Sequence, residues 1–285
     1  METTLVEARL LSKHLDDPDW VIVDCRFSLE DTEGGRRQYT ADHIPGAVYA
    51  HLDEDLSGSI VPGETSRHPL PEIDTFVEKL CAWGTGEGVQ VAAYDDSGGA
   101  IAARLWWMLH WLGHEGVAVL DGGWTEWKRL GLPVSSEASR PPRKEFQANI
   151  QPHMLLSTAD IMAMRKDGGM LLVDVRDPER YRGEVEPIDT VAGHIPGASN
   201  LPYKENLNAE GSFLSPEVLR AKYKSMLDGR PAGRTVFYCG SGVTAAHSLL
   251  AMEHAGLGQG RLYADSWSGW IIDTSREIET GEGIK

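Results

Sequence analysis

Three motifs occur twice along this chain, in the same order, and that repetition constrains the fold more than any other feature. Trp20-Val21-Ile22-Val23-Asp24-Cys25-Arg26 returns 150 residues later as Met170-Leu171-Leu172-Val173-Asp174-Val175-Arg176. His43-Ile44-Pro45-Gly46-Ala47 returns after 151 residues as His194-Ile195-Pro196-Gly197-Ala198, and Leu120-Asp121-Gly122-Gly123-Trp124 after 143 as Tyr263-Ala264-Asp265-Ser266-Trp267. Preserved order with small length changes is the mark of one duplicated unit. Within each half, short apolar β-prone runs such as Val89–Tyr94 and Ala118–Leu120 alternate with helical stretches such as Ile73–Trp83 and Ala100–Leu112. That alternation predicts an α/β fold, with two units each built on a mainly parallel sheet covered by helices on both faces. A proline-bearing polar stretch around Pro141-Pro142 separates the copies, so the domains are expected at 1–136 and 154–285, with a linker over 137–153.

The duplication also works as an internal control on chemistry. In the second half, Val236-Phe237-Tyr238 leads into Cys239-Gly240-Ser241-Gly242-Val243-Thr244 and then into a helical pattern reaching Gly256. That pattern reads as strand, tight loop and helix, with the cysteine where backbone N–H groups converge on a helix N-terminus and stabilise an anion. Cys239 is the candidate nucleophile. The N–H groups of residues 240 to 244, which include Gly240, Gly242 and Val243, and the hydroxyls of Ser241 and Thr244 are candidate donors to it. Both hydroxyls serve equally well as loop and helix-start caps. The first half aligns Tyr94-Asp95-Asp96-Ser97-Gly98 with this loop, so it keeps the scaffold and lacks the thiol. Features shared by both halves, namely Asp24/Asp174, Arg26/Arg176, His43/His194 and Trp124/Trp267, read as architecture.

Composition removes several classes of function. A net charge of −16 disfavours nucleic acid and anionic membrane as partners. No run of eighteen apolar residues is present, the N-terminus has no signal-peptide pattern, and the three cysteines are far apart, so a reducing, cytoplasmic setting is expected. His110 and His114 share a helical i, i+4 spacing beside Trp106, Trp107 and Trp111, but no third ligand is near in sequence. They read as a packing face, and no metal or other cofactor is expected. A Cys-x5-Arg phosphate loop is excluded because Ala245 stands where its arginine would be.

The paired His-Ile-Pro-Gly-Ala turns together with Cys239-Gly240-Ser241-Gly242-Val243-Thr244 resemble the tandem-domain rhodanese-like sulfurtransferases, over roughly residues 5 to 280. The resemblance implies an inactive first domain and a catalytic second one in which Cys239 carries a sulfane sulfur as a persulfide. It implies thiosulfate or 3-mercaptopyruvate as donor, and cyanide or a thiol such as reduced thioredoxin as acceptor. A relay module that hands the sulfur to a protein partner is the alternative within the same family. The neutral loop is similar to that of the mercaptopyruvate branch, whose Ser-His-Asp arrangement falls on Ser241, His68 and Asp53, and whose substrate arginine falls on Arg180. On its residues alone, His68 reads equally as a surface loop residue. A second substrate arginine of that branch falls on Ile188, which leaves a single arginine in this reading.

Overall fold

The computed structural model describes residues 1–167 and 169–283. The chain forms two compact units: one of Met1–Gly58, Leu70–Gln151 and Ala209–Phe213, the other of Ser59–Pro69, Pro152–Asn208 and Leu214–Lys285. A stretch of the first repeat, Ser59–Pro69, thus belongs to the second unit.

The first unit runs β1 (Leu5–Val6), α1 (Ala8–Leu11), β2 (Trp20–Asp24), α2 (Gly34–Ala41), β3 (Val48–Tyr49), α3 (Ile73–Ala82), β4 (Gln90–Tyr94), α4 (Ala102–Trp111), β5 (Val117–Leu120) and α5 (Gly123–Arg129). The second runs β6 (Leu155–Leu156), α6 (Thr158–Asp167), β7 (Leu171–Asp174), α7 (Pro178–Tyr181), β8 (Ser199–Asn200), α8 (Pro216–Leu227), β9 (Thr235–Tyr238), α9 (Thr244–His254), β10 (Arg261–Tyr263) and α10 (Ser266–Trp270). Both sheets are five-stranded and parallel, ordered β1-β5-β4-β2-β3 and β6-β10-β9-β7-β8. The two orders are one topology written twice. β4 and β9 are fully buried, which is why, after Gln90 and Thr235, their sequences run apolar and aromatic rather than alternating.

The shared motifs do structural work. The first core gathers Ile22, Ile44, Ala47, Tyr94, Trp124 and Trp127, and the second gathers the corresponding Leu172, Ile195, Ala198, Tyr238, Trp267 and Trp270. In each unit a buried arginine pairs with the aspartate that ends a strand, Arg26 with Asp24 and Arg176 with Asp174, both at 2.6 Å. Each arginine also lies over the repeated tryptophan, Arg26 at 4.6 Å from Trp124 and Arg176 at 4.9 Å from Trp267. The Tyr94 and Tyr238 hydroxyls accept the N–H groups of Ile44 and Ile195 at 3.2 and 3.1 Å. His43 and His194 reach the Tyr39 and Tyr181 carbonyls through Nδ1 and stack on those rings. These polar groups stay buried because partners replace the water they lose.

Candidate active site

Cys239 follows β9, the middle strand of its sheet, at the strand's carboxyl end. The chain turns back at once because Gly242 adopts φ +77°, and a Cβ there would lie 2.2 Å from the Ala264 carbonyl oxygen. Only glycine fits that turn. The Gly242 N–H donates to Cys239 Sγ at 3.2 Å, inside a loop where the thiol is 2% exposed. Buried Val243 stands at the N-cap of α9, where its side chain offers no acceptor and its carbonyl takes the Ala246 N–H at 3.1 Å.

The loop is fastened to α10 by the backbone, Trp267 N–H to Cys239 O at 3.0 Å and Ser268 N–H to Gly240 O at 2.8 Å. Ser266 adds a side-chain fastening. Its hydroxyl accepts the Cys239 N–H at 3.1 Å and donates to the Tyr263 carbonyl at 2.9 Å, while its own backbone sits at φ +53°. The corresponding residue of the first repeat is Gly123, at φ +54°. A serine holding a conformation that suits glycine is a cost retained at the cysteine and absent from the other half.

The segment ahead of Pro69 supplies two more groups. Arg67 N–H donates to Ser268 Oγ at 3.1 Å, and His68 Nδ1 lies 2.7 Å from Ser241 Oγ. Both His68 and Ser241 are buried, so His68 is not a surface loop residue. The reason is that residues 59–69 pack within the second unit, which sequence order does not suggest. Asp53 lies in the first unit, where its N–H donates to His51 Nδ1 at 3.1 Å.

Two guanidinium groups approach the loop. A Cβ placed on Gly240 would lie 2.7 Å from one terminal nitrogen of Arg67 and 3.6 Å from one of Arg180. Arg180 is the arginine that the motif points to, Arg67 is a second one that it does not, and the Ile188 side chain is exposed. Charges of alternating sign continue from these arginines into the unit: Arg67 pairs with Asp189, Asp189 with Arg180 at 3.3 Å, Arg180 with Glu186 at 2.6 Å, and Glu186 with Arg176 at 3.2 Å. Burial opposes the charge on Glu186, but the bonds from Arg180 and from the Asp189 and Ile188 N–H groups prevail and hold its carboxyl below the usual range. For Asp189 burial prevails instead, against the pull of Arg67 and Arg180 and helped by repulsion from Glu186, and its carboxyl is raised.

The candidate metal ligands resolve differently. His110 is buried, reaches the Thr3 carbonyl at 3.3 Å, and is pushed down to about 4 by desolvation. It is a neutral packing residue of α4. Among the described residues, Glu33, His51 and Glu54 hold ligand atoms within 4.8 Å of one another, but Arg36 pairs with both carboxylates, and all of them lie in the first unit.

Residues 7–130 and 157–273 each match the rhodanese-like domain. A probable 3-mercaptopyruvate sulfurtransferase of Pseudomonas aeruginosa is 47% identical over 279 residues, covering 98% of both chains. A putative thiosulfate sulfurtransferase of Mycobacterium tuberculosis is 36% identical, covering 91% of this chain and 90% of that one. The structure of 3-mercaptopyruvate sulfurtransferase from Leishmania major superposes with a TM-score of 0.81 at 33% identity, covering 93% of this chain and 73% of that one.

Proposed function

Since the chain belongs to the tandem-domain rhodanese-like sulfurtransferase family, we propose that it moves the sulfur of 3-mercaptopyruvate through a persulfide on Cys239 to cyanide or a thiol, reduced thioredoxin included. The observation that carries this reading is the placement of the Arg67 and Arg180 guanidinium groups beside Gly240, next to a sulfur already accepting the Gly242 N–H. A 2-oxo acid carboxylate suits such a pair of forks, and the reacting sulfur then lies toward the loop.

The chemistry follows from that pose. The Cys239 thiolate attacks the donor sulfur, an S–S bond forms, and the donor's C–S bond breaks. Its electron pair goes to carbon as the enolate of pyruvate, which must take a proton. The His68–Ser241 pair, joined at 2.7 Å, can deliver one. Thiosulfate would release sulfite, which needs no proton, so a buried proton device is better matched to the carbon leaving group. In the second half-reaction the acceptor attacks the outer sulfur, and the Cys239 thiolate leaves toward the loop N–H groups that stabilise it. The free, buried cysteines fit the reducing cytoplasmic setting that this thiol chemistry requires.

The test is steady-state kcat/KM for 3-mercaptopyruvate and thiosulfate side by side, with cyanide as common acceptor and no partner protein. We expect sustained turnover, higher with mercaptopyruvate, and a Cys239→Ser enzyme that folds but is slower by on the order of 10⁴ or more. Full activity in the serine variant, or turnover only when a protein acceptor is added, would refute it.

A further inference from the structure

Resting on the sulfurtransferase reading above, we infer that Asp189 is the residue that sets the charge of the donor, holding the two arginines at a balance that suits a singly charged carboxylate and works against a doubly charged one.

The argument is one of charge at close range. Asp189 is buried, its side chain 6% exposed, and it bridges both arginines that flank Gly240: Oδ1 pairs with Arg67 and Oδ2 with Arg180 at 3.3 Å. The groups facing it come from three elements: Arg67 from the 59–69 segment, Arg180 from α7, and Glu186 from its own loop. The chain Asp174, Arg176, Glu186, Arg180, Asp189 and Arg67 alternates in sign and sums to zero. An arriving monoanion therefore leaves this cluster at −1, and a dianion leaves it at −2, in a protein that already carries −16. At this range and in a half-desolvated site the second charge is opposed far more than it would be in water. Each guanidinium can still meet a carboxylate through a nitrogen that the acids do not occupy: Nη1 of Arg180, whose Nε and Nη2 bind Glu186 and Asp189, and Nη2 of Arg67, whose Nη1 binds Asp189.

Removing the Asp189 charge should favour both donors, and thiosulfate, a dianion, more than mercaptopyruvate. The experiment measures kcat/KM for the two donors with cyanide in the full-length wild type and in Asp189→Asn, at pH roughly 7.5. Taking the ratio of donors at one pH cancels the ionisation of cyanide and of Cys239, which both assays share. In Asp189→Asn the thiosulfate-to-mercaptopyruvate ratio is expected to rise about tenfold over the wild type. In the wild type sulfate, a dianion, should inhibit far less than pyruvate, a monoanion. Where the variant melts like the wild type, an unchanged or lowered ratio overturns the inference. Where it does not fold, the wild-type inhibition decides, and sulfate that inhibits as well as pyruvate overturns it. Failure of the underlying reading looks different. A wild type that turns over neither donor, or an active Cys239→Ser, removes the persulfide route and this inference with it.

Discussion

The loop after β4 and the loop after β9 are the same device put to opposite uses. In the first unit Asp95 occupies the cysteine position, and its carboxylate accepts four backbone N–H groups: Oδ1 those of Ser97 and Gly99 at 2.9 and 2.8 Å, Oδ2 those of Ile101 and Ala102 at 2.8 and 2.9 Å. The cradle is filled from within by a fixed anion. In the second unit the cradle faces a sulfur, the Gly242 N–H reaches it at 3.2 Å, and two arginines stand by. Outside the loops the correspondence persists, since Trp124 N–H bonds Asp95 O at 2.8 Å as Trp267 N–H bonds Cys239 O at 3.0 Å. The difference teaches that an anion-binding turn after a central strand is the inherited part, and that catalysis depends on leaving it for a transient anion.

The sharpest way to press the comparison is at His68. A His68→Gln enzyme should lose on the order of 10²-fold or more in kcat with 3-mercaptopyruvate, the donor whose leaving group needs a proton, while changing much less with thiosulfate. Equal losses with both donors in steady-state assays would mean that the histidine merely holds Ser241 in place. Next in size, Asp95→Ala should leave four buried N–H groups without their acceptor and destabilise the protein by roughly 2–4 kcal/mol, seen as a lower denaturant midpoint, with kcat per folded enzyme close to wild type. A large fall in kcat at unchanged stability would show that the first loop is not merely architectural. The smallest effect is expected for Ser266→Gly, which copies Gly123: relief of backbone strain offsets the lost bond to the Cys239 N–H, so stability should stay within about 1 kcal/mol while KM rises a few-fold. Thermal melts alongside KM for both donors check this. A loss of stability well beyond that figure would show that the hydroxyl's bonds matter more to the fold than the strain they accompany.

Much of this was legible in the sequence because it lies on regular elements. Strand-forming runs at Trp20–Asp24 and Leu171–Asp174, the helices from Ile73 and Thr244, and the position of Cys239 all follow from periodicity and turn chemistry, and duplication separates shared scaffold from singular chemistry. Arg67 was not legible as a partner of Gly240. It sits in an irregular segment without periodicity, and its ion-pair partner Asp189 is 122 residues away in the chain. Aligning motifs placed the second arginine on Ile188 and left a single arginine, whereas a guanidinium can reach a site from any segment that packs beside it. Ser266 was hidden for the opposite reason. It lies in a repeated motif and so read as architecture, although its first-half counterpart is a glycine with no hydroxyl to offer.

The assignment of Ser59–Pro69 to the second compact unit has a consequence for how such a gene can change. A reading frame trimmed to start near Pro152 would still encode every strand of the second sheet and the thiol, and would lose Arg67 and His68. The half without the cysteine is therefore not a relic awaiting deletion. On the roles proposed for Arg67 and His68, selection on the reaction reaches back into it through eleven residues, and recombination that exchanges one copy for a foreign homologue would replace part of the other's compact unit as well.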